Sequence, residues 1–155
     1  MQPKICTFAG HADIYFENKS MVKSILKGEI INLIENENVD TFYCGWKCDF
    51  DRLCAECVNE LKNQYPFIES YMIFSYIPWK KSESGIDPYE DFNGTIYPEG
   101  LEFVPQKFAI AKRNEWLIDN ASFLIAYIDH EWGGAYRTFR YAKRKKHIKV
   151  INIAN

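Results

Sequence analysis

Three short stretches combine glycine with groups that can hold or move charge: AGHAD (9–13), CGWKCDFD (44–51) and DHEWGGAYR (129–137). Glycine lets a ligand approach bare backbone, and a helix that starts just after it aims unpaired N–H groups and a partial positive charge at an anion. Gly133 and Gly134 precede a helix expected from Ala135, so they suit a phosphate; a paired glycine at such a junction serves equally as a plain turn. His11 follows Gly10 and can donate to or accept from a phosphate or a ribose hydroxyl, or simply cap a strand end. Arg113 can grip a phosphate or carboxylate through two N–H groups, the plainer reading being an exposed arginine on a helix surface. Asp13, Asp51, Asp129 and Glu131 are the acids near these stretches, and Asp51 has a structural use as a first-turn helix acid. His130 and His147 have no partner pattern along the chain and receive no role.

Common nucleotide fingerprints are missing. AGHADIYF has neither the second nor the third glycine of G-x-G-x-x-G, and no G-x-x-x-x-G-K-[ST] occurs. Of five cysteines, Cys44, Cys48, Cys54 and Cys57 cluster. Cys54 and Cys57 fall within a helical pattern and Cys44 ends a strand-like run, so core thiols fit better than a zinc site, and no metal is assigned.

The elements that must position these groups alternate. KICTF (4–8), DTFYCG (40–45), FIESYMIFSYI (67–77), SFLIAYI (122–128) and IKVINI (148–153) read as strands. Segments 21–37, 50–65, 106–120 and 135–146 carry helical spacing, the second with Phe50, Leu53, Cys54, Cys57, Val58 and Leu61 on one stripe. Between Pro78 and Pro105 four prolines, three glycines and no sustained period predict a long irregular excursion, the kind that serves as a lid or a contact segment. The series β-α-β-α-β-loop-α-β-α-β predicts an α/β sandwich: a mostly parallel five-stranded sheet with helices on both faces. Ligands of such sheets bind beyond the carboxyl ends of the strands, where all of these stretches lie, together with SYIPWK (75–80).

With 155 residues, 47% of them hydrophobic, the chain can bury one core and reads as one domain over 1–155. A net charge of -2 gives no general attraction to nucleic acid or to anionic membrane. The run KRKKHIK (143–149) is expected at a helix carboxyl end from the dipole alone, so a nucleic-acid partner is not expected. No stretch is long and apolar enough for a membrane helix or a signal peptide, and the odd thiol count suits a reducing compartment, which points to the cytoplasm.

CTFAGHAD, FYCGWKCDFDRLCAECVNELKNQYP, TIYPEGLEFVPQKFAIAKRNEWLIDNASFLIAYI and WGGAYRTFRYAKRKKHIKVINI together resemble the SLOG superfamily, in particular its small stand-alone YpsA-like branch. The resemblance implies a Rossmann-like fold and a nucleotide-related ligand, among them signalling nucleotides and ADP-ribose derivatives. Relatives include LOG-type phosphoribohydrolases, the DNA-processing protein DprA and sensor domains of antiviral defence. It marks Gly10 and His11, Gly45 with Asp51, Arg113 with Asn114, and Gly133 with Gly134 as ligand-binding positions. Two positions depart from the pattern: Ala12 where the branch often has a basic residue, and Asp49 where glycine is frequent. LOG-type hydrolases resemble P-G-G-x-G-T-x-x-E; aligned on Gly133-Gly134 the catalytic glutamate falls at Arg140, whose guanidinium cannot act as a carboxylate base.

The sequence therefore predicts a noncatalytic protein that holds a nucleotide or ADP-ribose-like ligand without a cofactor, with segment 78–105 as a lid or a homodimer contact. A hydrolase of nucleoside monophosphates or related N-glycosides is the second expectation. An interaction protein with a vestigial pocket, in keeping with Ala12, Asp49 and Arg140, is the third.

Overall fold

The computed structural model describes residues 2–11, 14, 18–45, 48–77, 85 and 87–154. Ala12, Asp13, Trp79 and most of the first part of the excursion, residues 78–84 and 86, lie outside them. Elements follow in the order β1 (Ile5–Gly10), α1 (Lys19–Glu37), β2 (Thr41–Cys44), α2 (Asp49–Leu61), β3 (Glu69–Ile73), β4 (Gly94–Ile96), α3 (Gln106–Asn120), β5 (Phe123–Tyr127), α4 (Gly134–Lys143) and β6 (Lys149–Asn152).

The sheet has six strands in the order β4-β3-β2-β1-β5-β6, and its neighbours pair in parallel. The expected five-stranded count is thereby corrected: the additional strand, β4, comes from within the excursion. Gly94, Thr95 and Ile96 pair with Tyr71, Met72 and Ile73. Just before them, the Asn93 backbone N–H donates to Ser70 O at 2.8 Å, and its side-chain Oδ1 accepts from the Ser70 N–H at 2.9 Å. Such local side-chain bonds dock a strand too short to show period-two patterning.

Alternation along the central strands separates two cores. Cys6 and Phe8 of β1 and Phe123 and Ile125 of β5 face α1 and α2; Ile5 and Ala9, with Leu124 and Ala126, face the opposite core with Ile118 of α3 and Ala142 of α4. Helices on both faces of a parallel sheet make a three-layer, Rossmann-like sandwich. Buried Val22, Leu26, Ile30 and Leu33 form the inward stripe of α1, which stops at Asn38 in the left-handed region (φ 60) with its N–H bonded to Leu33 O. Helix α2 buries all six residues of its expected stripe. Lys23 reaches Glu56 and Glu60 at 2.7 and 2.9 Å and ties α1 to α2 at the surface. Of the clustered cysteines, Cys44, Cys54 and Cys57 are the buried core thiols expected, as is Cys6 of β1, whereas Cys48 is only half-buried because it lies at the amino end of α2 beside a cavity. Among the described residues no helix is long and apolar enough to cross a membrane.

Candidate functional site

Strand order reverses between β1 and β5: β1 to β4 build outwards in one direction, and α3 then carries the chain back to β1's other side. The crevice beyond the carboxyl ends of the strands at such a reversal is the place for a ligand. A cavity of about 200 Å³ opens there, walled by the ends of β1, β2 and β3, the start of α2, one side of α3 and the amino end of α4. It brings together Gly10, Gly45, Asp51, Arg113, Asn114 and Gly134. His11 and Gly133 adjoin these residues in sequence without lining the cavity.

Each glycine has its own reason. A Cβ on Gly10 would sit 2.3 Å from the ring of Phe50, so this residue lets α2 pack closely on β1. On Gly45, a Cβ would lie 2.9 Å from Asp51 Oδ2 and 3.5 Å from Arg113 Nη1, so bare backbone passes between the acid and the base. Gly133 has φ 96 and ψ 174, a region open essentially to glycine alone, while Gly134 begins α4 where an added Cβ would have nothing within 4 Å. No side chain caps α4, whose first bond runs from Arg137 N to Gly133 O, so the N–H groups of its first turn remain available to an anion. Alanine at Gly133 meets no clash but must hold a disfavoured backbone, and is expected to lower the unfolding free energy by about 1–3 kcal/mol in urea titration. An unchanged midpoint would show that the turn relaxes freely.

Arg113 is not an arginine spread on the helix surface. Its guanidinium is enclosed, with Nη1 donating to Ile73 O at 2.9 Å and Nε to Asn114 Oδ1 at 3.0 Å. Burial pulls its pKa down while Asp51 supports the charge. Burial likewise pushes the Asp51 carboxyl up, with Arg113 and bonds from Cys48 pulling it back. Asp51 also stands in the first turn of α2, the helix-acid position expected from the sequence. Cys48 caps that turn, its sulfur accepting from Asp51 N at 3.4 Å, and its thiol is pushed up to about 12 by burial and by Asp51. A thiol so raised stays protonated at neutral pH and is a poor nucleophile. Asp49 turns away to the α1 side, where Oδ2 accepts from Ile14 N at 3.4 Å and lies 3.8 Å from Lys19 Nζ.

The Asp51 shift fixes the sign of a pH effect. Its folded value is raised, so ionisation costs more in the folded protein than in the unfolded chain. That cost is absent below the ordinary carboxylate range, present above the raised value, and stability falls as pH rises between the two. Asp51→Asn removes this titration, so its stability relative to wild type should improve from pH 4 to pH 7 in paired denaturant titrations. A pH-independent difference would place the ionisation of Asp51 outside the stability balance.

A second group sits at the reversal itself. His11, at the end of β1, is 8% exposed, and its backbone N–H donates to Tyr127 O at 3.2 Å. Its Nε2 lies 3.4 Å from Asp129 Oδ1 and accepts from the His130 backbone N–H at 3.4 Å. His130 Nδ1 lies 2.8 Å from the same carboxylate oxygen, and the two imidazoles stack at 3.4 Å between centroids. The exposed Trp132 ring closes over His130 at 3.8 Å. Burial and the neighbouring His130 lower the His11 pKa, with Asp129 opposing them. The sequence gives His130 no role because its partner His11 is 119 residues away; the one signal it carries is that both residues follow expected strands.

Arg140 lies outside the cavity, exposed on α4, with Nη1 3.1 Å from Tyr136 Oη. No protein-family model matches the chain, and no curated protein matches it.

Proposed function

We propose that this chain is a SLOG-type binding protein that holds a nucleotide or ADP-ribose-like molecule at the carboxyl ends of its strands and releases it unchanged. The observation that carries the reading is the convergence, on one cavity, of the uncapped amino end of α4 with the enclosed Arg113–Asp51 pair. These supply, respectively, N–H groups for a phosphate and paired polar groups for a ribose or a base edge. At about 200 Å³ the cavity is below the roughly 300–1,000 Å³ of sites that enclose a whole drug-sized ligand, so it suits a ribose phosphate whose remainder extends outwards. Arg140, exposed on α4, stands where the resemblance places the glutamate of LOG-type hydrolases, which supports the loss of that particular cleavage chemistry.

One observation favours hydrolysis as the second reading: a carboxyl raised by burial inside a cavity, as Asp51 is, suits a general acid. A calorimetric panel of AMP, ADP-ribose, NAD and cyclic ADP-ribose isomers, each mixture then chromatographed, separates the two. Saturable binding with intact ligand supports the sensor or sequestering protein, and products support the hydrolase. No heat from folded protein with any member rejects both and leaves an interaction protein, for which self-association is the next measurement.

A further inference from the structure

We propose that His11, Asp129 and His130 form a binding site for one divalent transition-metal ion, zinc fitting best, at the point where the strand order reverses. The inference stands on these three residues alone and does not depend on the nucleotide reading.

The donor set is two imidazole nitrogens and one carboxylate oxygen, a combination that suits zinc or iron(II) over calcium or magnesium. Their ligand atoms all lie within 4.8 Å of one another. Donors about 2.0–2.1 Å from a tetrahedral ion are roughly 3.4 Å apart. The separations here are 3.4 Å from His11 Nε2 to Asp129 Oδ1 and 2.8 Å from His130 Nδ1 to the same oxygen, so the carboxylate already stands at or inside the spacing from each ring that an ion requires.

The backbone carrying these groups is pinned from both sides. Gly10 pairs with Tyr127 in the β1–β5 register, and the next residue, His11, donates to Tyr127 O. Asn152 of β6 clamps the residue before Asp129, accepting from Ile128 N and donating to Ile128 O, both at 3.0 Å. Ligands carried on strand ends so fixed lose little freedom when they meet a cation. Asp129 and His130 are part-exposed, which gives the ion an entry path and leaves coordination positions open to water or to an anion. The imidazoles lie within 10° of parallel, and they must open apart so that both lone pairs converge on the ion. Trp132, stacked on His130, reports that motion.

The full chain, stripped of metal, is titrated calorimetrically with zinc and with cobalt(II), whose absorption spectrum reports the ligand set. The expected result is one equivalent per chain, nitrogen and oxygen ligation, and a change in tryptophan emission that Trp132→Phe removes. His130→Ala and Asp129→Asn, both at part-exposed positions that leave the buried His11 in place, should each weaken binding more than tenfold. His147→Ala, whose ring bonds Ile118 O elsewhere, should leave it unchanged. Circular dichroism of each variant separates lost ligation from lost fold. No saturable uptake at micromolar metal, a thiolate charge-transfer band in the cobalt spectrum, or wild-type affinity in both folded ligand variants would overturn the proposal.

Discussion

Alanine at Gly10 is expected to lower the unfolding free energy by about 1–3 kcal/mol, the cost of overfilling a packed core. The added Cβ would stand 2.3 Å from Cδ2 and 2.5 Å from Cγ of Phe50. A flexible side chain at the surface would swing aside, but Phe50 is completely buried and its ring stacks on Tyr127 at 5.9 Å between centroids. Relief must therefore come from the start of α2 lifting off β1. That movement carries Asp51, one residue further on, away from Gly45 and Arg113, so ligand affinity should fall along with stability. The double variant Gly10→Ala with Phe50→Leu tests the cause: if the ring is the obstacle, the combined loss is smaller than the sum of the single losses. Strict additivity in urea titrations would show that the strain is absorbed elsewhere.

Aspartate at Gly134 should act in the opposite sense on the two properties. The position is the first of α4, and a Cβ there meets nothing within 4 Å. An acid in the first turn interacts favourably with the helix dipole, by about 0.3–1 kcal/mol, and replacing a helical glycine adds a similar gain. The variant should therefore unfold at higher urea. Its carboxylate, however, occupies the place assigned to a phosphate, and juxtaposed like charges cost several kcal/mol, a loss of about a hundredfold or more in affinity. Gly134→Ala supplies the control, with the same backbone gain and no charge. Equal affinity for a phosphate-bearing ligand in all three proteins would remove the amino end of α4 from the site.

How far the sequence anticipates the molecule depends on whether a signal is local. Helix α3 spans Gln106–Asn120, the boundaries its periodicity predicts, because Pro105 precedes it and the SFLIAYI strand follows at once. The core strands are legible from their apolar runs, since both faces of β1 and β5 are covered. Strand β4 is not: three residues, Gly94 to Ile96, carry no period, and what docks them is the side chain of Asn93 against Ser70. Arg113, within α3, belongs to no strand-end stretch and is marked through the family resemblance, but the meeting of Gly45 with Asp51 follows from the stretch 44–51 that leaves the second strand. The enclosure of Arg113 does not, because it depends on α3 closing over the end of β3, where Ile73 O receives the guanidinium. His130 shows the limit most plainly: its significance comes from β1 lying beside β5, which no local pattern encodes.

That same adjacency sets an order of assembly. β1 can pair with β2 after the short α1 crossover, but its other edge waits for β5, whose residues Phe123 to Tyr127 are made much later. Closing so long a loop is entropically costly and slow, and an apolar strand with one open edge is a template for pairing with other chains. While the chain is being synthesised, β1 has a natural partner on one side only, and chains stalled or cleaved before Phe123 should be the ones that aggregate. His11 meets Asp129 and His130 only when that edge is sealed, so the face that would take a metal ion is among the last parts of the molecule to exist.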